Sequence, residues 1–282
     1  MQQVTAIKQV REQLASIRQA GKTIALVPTM GNLHEGHLSL VEQVQELADY
    51  IVVTIFVNPT QFVEGEDFES YPRTLESDLA QLENLNVDMV FKPDNDEIYP
   101  TKNAISTEVT VPELDSIYCG EFRPGHFKGV ATIVTKLFNI VQPDIAIFGE
   151  KDYQQLLVIR SLVKNLNLPI KILGSATMRE KDGLAMSSRN QYLTKEERKI
   201  APVLHENLCK MALKLSKGDE NYANMEKEAI SELIKVGFRP EYLKICDSET
   251  LNAPKGGNLV ILAAAWLGKA RLIDNVAVHK YD

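Results

Sequence analysis

Thr23-Ile24-Ala25-Leu26-Val27 runs into Pro28-Thr29-Met30-Gly31-Asn32-Leu33-His34-Glu35-Gly36-His37-Leu38. The first five residues are β-branched or apolar without alternation, as in a strand covered on both faces. From Leu38 the apolar residues recur at helical spacing up to Leu47. The junction is therefore strand, loop, helix. Such a junction exposes backbone N–H groups and the positive end of a helix dipole, which suits phosphate. His34 and His37 are one helical turn apart, so both imidazoles can reach one phosphate, and Gly36 between them lets a ligand approach the backbone. Two other readings stay open. A His-x-x-His metal site needs a third protein ligand, and none is obvious in the sequence. A purely structural histidine pair is the other. The loop is not a Walker A motif, because no Gly-Lys-Ser/Thr follows.

Outward from this junction the pattern repeats. Tyr50 to Val57, Val87 to Phe91, Asp144 to Phe148 and Ile170 to Leu173 are further apolar, β-branched runs. Leu75 to Leu85, Val130 to Val141 and Leu156 to Leu166 have helical spacing between and after them. Alternation of this kind predicts βαβ units and a doubly wound, Rossmann-like parallel sheet. A first helix is expected over residues 4–19, with Val4, Ile7, Val10, Leu14 and Ile17 on one face and Gly21 ending it. After about residue 176 the character changes. Lys195 to Leu215 and Tyr222 to Val236 predict two amphipathic helices. Tyr242 to Cys246, Leu259 to Ala264 and Arg271 to Val276 predict a small antiparallel sheet, with Gly256 and Gly257 turning between its first two strands. The expected domains are residues 1–176 and a smaller α+β domain over 177–282.

Composition narrows the function. Lys plus Arg number 31 and Asp plus Glu 38, a formal charge of −7. That balance argues against a general affinity for nucleic acid or an anionic membrane, while leaving room for a local basic pocket. The longest apolar runs fall far below the ~20 residues of a membrane span, and the N-terminus lacks the apolar core of a signal peptide. Cys119, Cys209 and Cys246 form no CxxC pair; the expectation is buried free thiols in a reducing cytoplasm.

Three further segments carry chemistry. Asn58-Pro59-Thr60-Gln61-Phe62 follows the second run; its amides suit a small polar substrate, or simply cap an Asn-Pro turn. Glu64 to Pro72 beyond it, rich in acids and aromatics, is a candidate flap. Gly149-Glu150-Lys151-Asp152-Tyr153-Gln154-Gln155 follows the fourth run. Lys151 offers a point charge for phosphate oxygens. Asp152 either caps the next helix or meets a ribose, and Gln155 shares its helix face. Met186-Ser187-Ser188-Arg189-Asn190 reads as a phosphate clamp or as a surface loop. In a parallel sheet these segments are expected to gather at the carboxyl edge, near the point where strand order reverses. Two histidines, one lysine and one arginine there make a cationic pocket in an acidic protein, most naturally for a nucleoside triphosphate.

Over essentially its whole length the chain resembles the pantothenate synthetase (pantoate–β-alanine ligase) family of the HxGH nucleotidyltransferase superfamily. The resemblance rests on residues 28–37, 56–62 (Phe-Val-Asn-Pro-Thr-Gln-Phe), 122–127 (Phe-Arg-Pro-Gly-His-Phe), 148–155 and 186–190. HxGH alone marks only the superfamily; the five segments in order are specific to the ligase.

The resemblance implies a Rossmann-like domain, a smaller lid domain and a dimeric, cytoplasmic assembly. It implies ATP as substrate with Mg2+, and D-pantoate and β-alanine as the other substrates. Pantoate carboxylate would attack the α-phosphorus, giving a pantoyl adenylate and pyrophosphate, and the amine would then displace AMP. By the same resemblance, Met30, Gly31, Asn32, Leu33, His34, Glu35, Gly36 and His37 hold ATP, with His37 the proton donor and His34 and Lys151 also catalytic. Gly149, Glu150, Lys151 and Asp152 meet phosphate and ribose. Met178 and Met186 line the nucleotide site, and Ser187, Ser188 and Arg189 take phosphate oxygens. Gln61 and Gln155 hold pantoate, and Asn58 with Gln61 positions β-alanine. Arg123 and His126 receive no contact.

Two rival readings are weaker. An HxGH enzyme for a phosphorylated acceptor needs a second basic cluster, where Asn58 and Gln61 are neutral. A nucleotide sensor without turnover has no use for intact His34, His37, Lys151 and Arg189.

Overall fold

The structure is a computed structural model that describes residues 1–100 and 107–278. Six strands form one all-parallel sheet: β1 (Gln2–Val4), β2 (Ile24–Thr29), β3 (Tyr50–Ile55), β4 (Met89–Phe91), β5 (Ile145–Gly149) and β6 (Lys171–Ser175), in the order β1-β4-β3-β2-β5-β6. Helices α1 (Ile7–Gln19), α2 (Glu35–Gln45), α3 (Leu75–Asn84), α4 (Asn95–Ile98), α5 (Pro112–Asp115), α6 (Cys119–Phe122), α7 (His126–Val141) and α8 (Tyr153–Asn165) connect them. On one face Ala25, Val27, Ile51 and Ile147 pack with Leu40, Val41 and Val44 of α2. Their strand neighbours Ile24, Leu26, Val52 and Ala146 are equally buried. Because strand side chains alternate between faces, both faces are covered, which explains the unbroken apolar runs.

The chain divides into two compact units, Met1–Glu150 with Gln155–Ala176, and Lys151–Gln154 with Thr177–Asp282. The second holds α9 (Lys195–Ile200), α10 (Val203–Ser216), α11 (Tyr222–Lys235) and an antiparallel sheet β7 (Arg239–Asp247), β8 (Leu259–Leu267), β9 (Ala270–Val278). Leu204, Leu208 and Met211 of α10 and Met225 and Leu233 of α11 form its core with one face of the sheet. The doubly wound sheet and the smaller α+β domain are thus both present. Among the described residues no helix is long and apolar enough to cross a membrane.

Three expectations need correction. Val4 opens no helix; it ends β1, whose residues pair in parallel with Met89–Phe91. A three-residue edge strand is too short to show a period. The single helix over Lys195 to Leu215 is two, broken at Pro202. Proline has no N–H for the carbonyl four residues back, and its ring crowds that carbonyl. Cys119 and Cys246 are buried, but Cys209 is exposed on α10.

Candidate active site

Strand order reverses between β2 and β5. Ligands in open α/β sheets bind at such a point, at the strands' carboxyl ends. Met30–Leu33 leaves β2 there and Gly149 is the last residue of β5. The loop after β2 bends through two left-handed residues, Gly31 (φ 80°) and Asn32 (φ 51°). A Cβ at Gly31 would sit 3.0 Å from Asp78 Oδ2 and 3.1 Å from Ile55, so a side chain has no room.

Asp78, on α3 and 1% exposed, is what holds this loop. Its carboxylate accepts the N–H groups of Asn32 and Leu33, both at 2.9 Å, and the Thr74 hydroxyl at 3.0 Å. Sequence reasoning missed this role, because Asp78 lies 46 residues from Asn32. Its only local signal is an acidic residue on the apolar side of an amphipathic helix. Leu33 turns its side chain into the core, so both its side chain and its N–H anchor the loop.

His34 precedes α2 in an extended conformation. Its Nδ1 accepts the Gly36 N–H at 3.2 Å, and His37 Nδ1 accepts the His34 N–H at 3.4 Å. The two rings lie 4.1 Å apart. A ring nitrogen that accepts carries no proton, so in the neutral tautomer each histidine carries its proton on Nε2. The local capping geometry therefore sets the pair as Nε2–H donors at the start of a helix. Glu35 and Gly36 form that helix's first turn.

At the end of β3, Asn58 is 1% exposed and fully engaged. Its Oδ1 accepts from Thr60 N at 3.4 Å, Thr60 Oγ1 at 3.0 Å and Tyr99 Oη at 2.8 Å. Its Nδ2 donates to Gln61 Oε1 at 3.1 Å and to the Gly129 carbonyl at 3.3 Å. The bond to Gln61 orients that amide and directs its Nε2 toward Met30, 3.1 Å from the sulfur. Met30, Asn58 and Gln61 are thereby brought together, with Asn58 behind Gln61. Burial pushes the Tyr99 hydroxyl above its usual range, against the smaller opposing effect of Thr60, so it stays a neutral donor.

The segment 122–127, which carries no assigned contact in the sequence reading, reaches the backbone of the same residue. His126 Nδ1 lies 2.7 Å from the Gln61 carbonyl, and Arg123 Nη2 donates to it at 3.5 Å. Arg123 also grips Glu66 with two hydrogen bonds, the longer 2.8 Å, which ties down the start of the candidate flap. Gln155 is half-buried in the first turns of α8.

The second unit holds the remaining set. Met178 and Met186 face each other across a hairpin, with Met186 N donating to the Met178 carbonyl at 2.9 Å. The hairpin delivers Ser187, whose Oγ accepts the Arg189 N–H at 3.3 Å and starts a turn over Ser188–Tyr192. Met186 to Asn190 thus stands beyond this hairpin and not directly at the end of β6. Lys151, Ser187, Asn190, His205 and Asp274 line one small cavity. Lys151 Nζ is 3.6 Å from Asp152 Oδ2. Among the described residues no three His, Cys, Asp or Glu side chains cluster as a cation cage.

The sequence profile described as "Pantoate-beta-alanine ligase" matches residues 2–277. The chain is 51% identical to the pantothenate synthetase of Marinobacter nauticus, over 99% of this chain and all of that one. The crystal structure of pantothenate synthetase from Thermus thermophilus superposes with a TM-score of 0.91 at 43% identity, covering 98% of this chain and 99% of that one. The Francisella tularensis pantoate–β-alanine ligase, solved with β-γ ATP and β-alanine, superposes with a TM-score of 0.80 at 36% identity, over 98% and 97% of the two chains.

Proposed function

The chain belongs to the pantoate–β-alanine ligase family, a family of enzymes, and on that premise we propose that it joins D-pantoate to β-alanine through a pantoyl adenylate. In the first step a pantoate carboxylate oxygen bonds to the α-phosphorus of ATP as the bond to the pyrophosphate oxygen breaks. In the second, the β-alanine nitrogen bonds to the acyl carbon, loses a proton, and expels AMP. The observation that carries the reading is the His34 and His37 pair at a helix start, each ring turning its Nδ1 to a backbone N–H, beside the strand-order reversal. Donors fixed in advance where charge develops are the strongest single device for such transfers.

His37 gives its Nε2–H as a hydrogen bond to the departing phosphate oxygens in this reading, and His34 and the Met30 backbone N–H hold the charge beside it, since the N–H groups of Gly31 to His34 and Gly36 are engaged within the protein. Gly149, Glu150 and Asp152 serve the nucleotide, and Met178 and Met186 its base. Lys151, Ser187, Ser188 and Arg189 are assigned to phosphate oxygens. Gln61 and Gln155 hold pantoate. Neutral amides suit this substrate, since a cation on the attacking carboxylate would blunt it. Asn58 acts on β-alanine and pantoate through Gln61, because its own polar atoms are engaged within the protein. Mg2+ usually keeps several waters and is held through substrate phosphates. With no carboxylate cage among the described residues, it enters as the ATP complex, and no step here depends on a protein ligand to it.

Enzyme mixed with Mg-ATP and pantoate, without β-alanine, should release a burst of about one pyrophosphate per active site, since a hydrolysis-prone adenylate is retained by a water-excluding site. Adding β-alanine should then discharge AMP and pantothenate. Pyrophosphate that appears only once β-alanine is present would refute the stepwise scheme.

A further inference from the structure

A buried ionic cluster in the second unit stands next to the residues assigned to phosphate. Asp274 of β9, its side chain 3% exposed, accepts two hydrogen bonds from Arg179, at 2.7 and 2.9 Å. His205 of α10 approaches the same carboxylate with Nδ1 at 3.3 Å. Arg179 also donates to the carbonyls of Gly183, at 3.1 Å, and Asn275, at 3.3 Å. Asn275 N donates back to Asp274 Oδ1 at 2.7 Å, and its side-chain amide donates to the Lys151 carbonyl at 3.0 Å.

Cys209 adds no relay to this chain. Its sulfur is 3.3 Å from His205 Nε2 and 3.9 Å from Nδ1. A sulfur in line with one ring nitrogen would lie much farther from the other, so it is in line with neither.

The cluster joins segments that local structure leaves independent. Arg179 lies in the hairpin that ends at Met186 and leads into Ser187–Arg189; it bridges Ala185 across that hairpin. A buried carboxylate is costly unless its partners are in place, and a forked arginine pair tolerates little displacement. Satisfying Asp274 therefore sets the hairpin against β9 and α10. The next residue on β9 then fixes the backbone of Lys151. Desolvation alone would raise the Asp274 carboxyl. The hydrogen bonds and charges of His205 and Arg179 outweigh it and hold the group below the usual carboxylate range.

We infer that Asp274 and Asn275 are positioning residues for the phosphate-holding set: through Arg179 they place the Ser187–Arg189 turn, and through its carbonyl they place Lys151. This rests on the reading that Lys151 handles phosphate. The role needs a fixed backbone, since misplacing a charged group by about 1 Å can cost on the order of 100-fold in rate.

The test is a cycle of Asn275→Ala, Lys151→Met and the double variant, with single-turnover pyrophosphate release as readout and KM for ATP and pantoate measured separately. Lys151→Met should slow the step by about 10²–10³-fold, the range for one preorganised donor. Asn275→Ala should slow it by about 10-fold with pantoate KM unchanged, and the double variant should be no slower than Lys151→Met alone. Arg179→Lys, which keeps the charge but loses the fork, should follow the same pattern, and it carries the test if Asn275→Ala does not fold. If Lys151→Met slows the step but neither Asn275→Ala nor Arg179→Lys does, the positioning role is wrong and the phosphate role stands. A double variant slowed by the product of the two single effects also overturns it, because Asn275 then acts elsewhere. An unaffected Lys151→Met removes the premise itself.

Discussion

Asn58→Asp is the sharpest probe of how the first unit presents Gln61. The substitution keeps the shape of the side chain and the Oδ1 acceptor that Thr60 and Tyr99 use. It replaces the Nδ2 donor, which faces Gln61 Oε1 at 3.1 Å and the Gly129 carbonyl at 3.3 Å. Two acceptors would then face a third. The Gly129 carbonyl can rely on its own helix, but Gln61 must turn its amide over, so that Nε2 donates inward and Oε1 faces Met30. A substrate carboxylate that met an N–H donor would now meet an oxygen. A hydrogen bond to a charged group contributes roughly 1.5–3 kcal/mol, so the pantoate Kd should rise by roughly 10- to 150-fold. ATP binding should change little, because the loop after β2 is held by Asp78 and the start of α2 by the two histidines, through bonds that leave Asn58 out. Calorimetric titration of each ligand into folded variant decides the matter. A pantoate Kd within twofold of wild type would refute the claim that Asn58 sets the Gln61 amide.

Two further predictions follow from packing and charge. A Cβ at Gly129 would lie 2.2 Å from the Thr60 carbonyl oxygen and 2.7 Å from Gln61 Cα. Gly129→Ala should therefore push the 59–61 turn outward, cost about 1–3 kcal/mol of stability as overpacking does, and weaken pantoate binding more than ATP binding. An unchanged melting temperature with unchanged pantoate affinity would contradict it. The Asp274 carboxyl titrates below its ordinary range, so its stabilising effect is present above the unfolded value near ~3.9 and lost as pH falls through the lower folded value. The stability gap between wild type and Asp274→Asn in urea unfolding should then shrink as pH falls below about pH 4. A gap that instead widens toward acid would reverse the sign of this argument.

What local sequence determines is clearest at Thr23 to Leu38. An unbroken apolar run, two glycines and two histidines one turn apart predict strand, loop and helix in a short window, and the structure has them there. The same window even specifies the histidine tautomers, because both Nδ1 acceptors bond to backbone N–H groups two or three residues away. Long helices and covered strands are legible for the same reason: periodicity repeats over many residues. β1 is not, because three residues at a sheet edge show no period and are recruited by β4, some 87 positions on. Nor are the partners of buried polar groups. Asp78 under the loop, His126 at the Gln61 carbonyl and Asp274 between Arg179 and His205 are each joined across 45 to 95 residues of chain. Sequence shows that such groups exist, and Arg123 and His126 stood out even without a contact. Which carbonyl or amide each one meets depends on how the crossovers close over the sheet. The cost of leaving a buried polar group unpaired then enforces that one arrangement.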